Sequence, residues 1–219
     1  TPFALSDCLG PVAGVQAGML DIMNAYWPLP NGPELGGGTA QAFYNPPQTI
    51  QEDFGTARVD HNFSLKDTFS ANYLIDSGLS ITPIADPLFY QAFNIRSQVL
   101  SLQETHLFST NVINTFTVGF SRAAIIFTSQ PYVPFPQSVY FALGEFPNPG
   151  KPSIGGGITG GGGSNTSHLT AARTLYTYQD QLQLVKGRHQ ISIGGLVSPL
   201  GSNEKDIKNT SGSASFAGL

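Results

Sequence analysis

The chain has 219 residues and a formal net charge of −4, with 11% charged and 40% hydrophobic side chains. Ordinary soluble domains carry about 25% charge; here Gly, Pro, Ser, Thr, Asn and Gln take that share, which suits a protein whose outside is not wholly water. The acidic balance argues against nucleic acid as a partner, the single cysteine, Cys8, excludes an internal disulfide framework, and no apolar run reaches the ~18 residues of a transmembrane helix.

The first residues, TPFALSD, carry no signal-peptide pattern. Between residues 11 and 27, Val12, Val15, Met19, Ile22, Met23 and Tyr26 recur at spacings of three and four. That stripe predicts one short helix near the N-terminus, stopped by Pro28 and Pro30. The Pro- and Gly-rich stretch 28–50 reads as loop, so residues 1–50 form a loop and short-helix region ahead of β structure over 51–219.

Three hairpins follow, and in each the alternation can be tested against the turn, because facing residues of an antiparallel pair share a sheet face. A turn at 65–67 pairs Phe63 with Phe69, His61 with Ala71 and Val59 with Tyr73; Arg58, Asp60, Asn62 and Asn72 then fall on the opposite, polar face. A turn at 109–111 pairs Phe108 with Val112, Leu102 with Val118 and Leu100 with Phe120, sending Gln103 and Thr117 to the polar face. A break at 186–189 aligns Tyr176, Tyr178, Leu182 and Leu184 with Ile191, Ile193 and Val197, with Gln179, Gln181 and Gln183 behind them. Glu104 and Asp180 land on the apolar side without an explanation from the pattern.

Short turns within hairpins contrast with long connections at 78–97 and 128–172. Compact soluble domains rarely contain structureless loops beyond ~15 residues, whereas outer-membrane barrels combine short periplasmic turns with long external loops. The predicted fold is therefore all-β: an antiparallel transmembrane β-barrel segment of about 6–7 strands, part of a larger barrel. Val59, Phe63, Phe69 and Tyr73 face lipid in this reading. Phe63, Phe69 and Phe108 near the turns, and Tyr73, Phe120, Tyr176 and Tyr178 farther up, resemble two aromatic girdles. The alternative is a secreted or cell-surface β-sandwich that binds carbohydrate or protein.

The stretch "QEDFGTARVDHNFSLKDTFSANY" is similar to the strand–turn–strand signature of Oar-like TonB-dependent outer-membrane receptors. "NAYWPLPN" resembles that family's Pro-Leu-Pro-Asn segment, and "SLQETHLFSTNVINTFTVGFSRA" and "VKGRHQISIGG" resemble its next two hairpins. The likeness spans about residues 10–219 in order; Asn72-Tyr73 stand where the family commonly has Arg-Tyr. It implies a large barrel around an N-terminal plug, located in the outer membrane of a Gram-negative bacterium, with energised uptake of an unidentified extracellular solute. The partners it implies are outer-membrane lipid and the TonB complex, reached through a plug that this chain does not show. An internal piece of the barrel is the expectation. The residues expected to face its lumen are Arg58, Asp60, Asn62, Asn72, Gln103, Thr117, Gln181 and Gln183.

Catalytic motifs are not evident. Asp60 and His61 are strand neighbours that point to opposite faces and cannot act together. His106, His168 and His189 show no ligand spacing, so neither metal nor cofactor is expected. "SIGGGITGGGGS" lacks the Lys-Ser/Thr ending of a phosphate loop and reads as flexible external loop, and "NEKD" lacks the oxygen alternation of a calcium loop. No enzyme is expected.

Overall fold

A computed structural model describes residues 25–27, 29–140, 149–155, 160–164, 166–208 and 211–217. The predicted helix lies largely outside these residues; of its span only Ala25 and Tyr26 are seen in helical conformation.

The strands in chain order are β1 (Glu34–Gly36), β2 (Thr39–Ala40), β3 (Thr49–Asn62), β4 (Asp67–Pro83), β5 (Phe89–Ser109), β6 (Val112–Pro131), β7 (Lys151–Ile154), β8 (Thr166–Lys186), β9 (His189–Val197), β10 (Leu200–Lys208) and β11 (Ser213–Phe216). Seven of them make one antiparallel sheet in the order β10-β8-β6-β5-β4-β3, with β9 also paired to β8. β9 and β10 hold the same register on β8 and form one edge strand interrupted at Ser198-Pro199. Tyr176 N–H donates to Pro199 O at 3.1 Å, but proline has no N–H to return that bond. Two small sheets, β1 with β2 and parallel β7 with β11, stand apart. The β1–β2 hairpin turns at Gly37-Gly38, both at positive φ, within a segment expected to be loop.

The second and third hairpins have the expected registers, with Leu100 opposite Phe120, Leu102 opposite Val118, Leu184 opposite Ile191 and Leu182 opposite Ile193. Ser109, rather than Phe108, faces Val112, and the register shifts at Phe108. In the first hairpin the faces are as expected, but the partners differ by two residues: His61 faces Phe69 and Val59 faces Ala71. The cause is a wider turn at 63–66. Ser64 Oγ accepts the Lys66 and Asp67 amides at 3.0 and 3.1 Å, a local side-chain turn that holds Phe63 off the ladder.

The expected loop at 78–97 is mostly strand. β4 runs to Pro83 and β5 begins at Phe89, leaving only 84–88 as the connection. The loop expected at 128–172 is shorter too: β6 continues to Pro131 and β8 starts at Thr166. The connections at the far end are nonetheless 84–88 and 132–165, against turns at 63–66, 110–111 and 187–188 at the near end.

The phase of the alternation explains why 89–97 did not read as strand. Near the short turns one face carries the row Val59, Ala71, Leu102, Val118, Tyr178, Val197, and the opposite face carries Asp60, Ser70, Gln103, Thr117, Gln179 and, at its β9 end, Leu196. Toward the far end this reverses on β5, β6 and β8. The second face now holds Phe93, Phe127 and Leu169, while the first holds Arg96, Ala124 and Ala172. No bulge separates the two regimes, so the side chains change polarity while the backbone does not.

The buried core lies on that second face at the far end. Tyr26, Phe89, Phe135 and Val139 form it, with Ala25, Trp27, Ile84, Leu88 and Tyr140 packed around. Phe89 stacks on Tyr26 at 6.4 Å and lies 5.1 Å from Phe135. Near the turns the first face is bare: Val59, Ile193 and Val197 are 60, 61 and 66% exposed. Among the described residues no second sheet lies against it, which removes the packing that a β-sandwich requires.

Candidate functional site

The residues proposed for the lumen all fall on the polar face. Arg58, Asp60 and Asn62 come from β3, Asn72 from β4, Gln103 from β5, Thr117 from β6, and Gln181 and Gln183 from β8. Arg58 grips Asp60 in a bidentate pair, Nε to Oδ2 at 2.7 Å and a second nitrogen to Oδ1 at 2.8 Å, and reaches Asn72 Oδ1 at 3.3 Å. Gln181 Nε2 donates to Ser192 Oγ at 2.8 Å. Thr68 and Thr177 share this face and were not singled out from the sequence, although strand parity points to them. These side chains are spread along a wall and do not converge on one pocket. His61 points away from Asp60 and packs edge-on against Phe63 at 4.6 Å, as strand alternation requires.

A second polar group sits under the far-end core. Asp86 is 4% exposed; its carboxylate accepts the Leu88 N–H at 2.9 Å and the Gly162 N–H at 2.7 Å. Burial raises its pKa above the ordinary carboxylate value, and the two backbone bonds only partly oppose this. The Tyr26 hydroxyl donates to Gly150 O at 2.7 Å, and burial, with Asp86 nearby, raises its pKa. Sequence reading missed this site because Gly162 lies in the glycine run taken for flexible loop. A Cβ on Gly163 would come within 2.8 Å of Ser129 Oγ and 3.2 Å of the Phe89 ring. Glycine is needed there for close approach.

The third cluster is on the apolar face at the short-turn end. Asp67 and His106 face each other across β4 and β5, with Glu104 one step along the same face. His106 Nδ1 contacts Asp67 Oδ1, and Ser64 Oγ donates to Asp67 Oδ2 at 2.5 Å. Asp180, the other acid on this face, accepts from Asn114 Nδ2 at 2.7 Å. Both acids that the alternation left unexplained thus lie in one row of the first face, on either side of Phe116.

β5 and β8 are each 21 residues long. Such a strand spans ~70 Å at ~3.4 Å per residue, far more than the ~25 Å apolar band of an outer-membrane barrel even when tilted. On β5 itself the apolar stretch of the first face is bounded by polar His106 and Gln98, ~27 Å apart along the strand. A two-sided sheet with one lipid-height apolar band, short turns at one end and extended strands at the other defines an outer-membrane β-barrel wall. Comparison with known families agrees: the model of the outer membrane beta barrel domain matches residues 10–219, and the chain belongs to that family. No curated protein and no solved structure matches the chain. The protein therefore resides in the outer membrane of a Gram-negative bacterium. Near the short turns the sheet has one bare apolar face and one polar face.

Proposed function

We propose that this chain is part of the barrel wall of an Oar-like TonB-dependent receptor, which takes up a solute across the outer membrane using energy delivered through TonB. The observation that carries this reading is the polar wall from Arg58 to Gln183 on five neighbouring strands, with Leu107 and Ile113 beside Gln183 in its last row, backed by an apolar face. A barrel filled by its own side chains needs apolar or tightly packed residues inside; a wall of amides, hydroxyls and one neutralised Arg–Asp pair suits a wide lumen that houses water, plug and solute. Among the described residues the edges of β3 and β9/β10 are unpaired, which supports a larger barrel, because each unsatisfied backbone group in hydrocarbon costs several kcal/mol. The partners in this reading are outer-membrane lipid, a plug, the TonB complex and an extracellular solute, with no chemical conversion of that solute.

The test is accumulation of solutes by cells that express the intact gene product, with and without a functional TonB gene, across a panel of siderophores, glycans and peptides. Uptake of at least one panel member that disappears with TonB supports the reading. Uptake at the same rate in both strains would instead mark a passive pore.

A further inference from the structure

We propose that Asp67, Glu104 and His106 form a divalent-cation site of the zinc type on the outer surface of the barrel wall, at its periplasmic rim. One ligand atom from each of the three lies within 4.8 Å of the others. One imidazole and two carboxylates, with a further position open to solvent, is a donor set suited to Zn2+ and ill suited to Ca2+ or Mg2+, which favour oxygen alone. The site is built on adjacent, register-locked strands, so its backbone positions are fixed before a cation arrives. Ser64 orients Asp67 through a 2.5 Å hydrogen bond from its hydroxyl, the kind of supporting contact that aims a ligand.

An independent observation asks for a cation there. Glu104 stands between Phe69 and Phe116 on the lipid side and, among the described residues, has no hydrogen bond or ion pair of its own. The fold thus brings two carboxylates together on the apolar face, with one imidazole beside them and the Lys66 ammonium near Asp67. Like charges so placed repel each other and lose hydration, and a bound dication removes both penalties. Asp180, on the same face, needs none because Asn114 already serves it. Local spacing could not reveal the site, since 39 residues separate Asp67 from His106 and only the sheet register joins them. The cation would clasp β4 to β5 at the end opposite their 84–88 connection.

The experiment is Zn2+ titration of the intact, metal-stripped outer-membrane protein in detergent by calorimetry, comparing wild type with Glu104→Gln, His106→Gln and Asp180→Asn. One equivalent bound by wild type and by Asp180→Asn, with affinity at least about tenfold weaker in the other two variants, is the expected result. No binding by wild type, or equal affinity in all four, overturns the proposal. X-ray absorption on the zinc-loaded wild type provides a check that needs no variant: one imidazole with oxygen neighbours is expected, and two or more imidazoles, or sulfur, place the metal elsewhere.

Discussion

Asp86 shows how a single carboxylate can tie an external loop to the end of a β wall. Its pKa is raised, so the docked state holds its proton more tightly than the free loop does. Docking therefore strengthens as pH falls from neutral through the raised value, and levels off below the ordinary value of 3.8. Amide exchange at Leu88 and Gly162, corrected for intrinsic rate, should slow on acidification through that window, and Asp86→Asn should abolish the trend. Exchange that quickens on acidification in the wild type would reverse the assignment. That the eight residues proposed for the lumen share one sheet face was legible at this scale, because strand alternation alone decides it. Partner identity was not: Ser64 captures two amides and widens the first turn, a choice between local hydrogen bonds that hydrophobic patterning does not register.

The strands illustrate a second limit. Alternation read along β5 gives Leu100, Leu102 and Phe108 one face, whereas Phe89, Phe93, Ile95 and Val99 belong to the other. One phase tracked along β5 fails below Leu100, which is why the adjoining 78–97 read as loop. The physical reason is a change of surroundings along one element: a bare apolar face near the turns, a packed cap on the opposite face at the far end. Two expectations follow for the strands themselves. Val118→Arg, in the centre of the apolar band, should destabilise the intact barrel in vesicles by about 2–4 kcal/mol, while Thr117→Arg, its neighbour on the lumen face, should cost well under half of that in the same urea titration. Pro199→Val should restore the missing bond to Tyr176 and join β9 to β10, adding about 0.5–1.5 kcal/mol and slowing exchange of the residue-199 amide below that of an exposed edge.

At the scale of the molecule, a sequence poor in charge and rich in two-sided hairpins already pointed to a membrane wall, since three hairpins agreed on one apolar face. The cap escaped notice because its pieces come from Tyr26, Phe89, Phe135 and Gly162, distant in the chain and individually unremarkable. The Asp67–Glu104–His106 cluster escaped for the same reason. The central claim is that one face of the sheet meets lipid, and that this changes along the strand. It is tested most directly by nitroxide scanning of residues 113–127 in the intact protein in vesicles, with Cys8 replaced by Ser, using oxygen and a polar nickel complex as collision partners. The account predicts that labels at Phe116, Val118 and Phe120 collide preferentially with oxygen and those at Thr115, Thr117 and Gly119 with nickel. Beyond Arg122 the oxygen preference of the even positions should vanish. An oxygen preference at Thr115, Thr117 and Gly119, or no period-two pattern below Arg122, would contradict it.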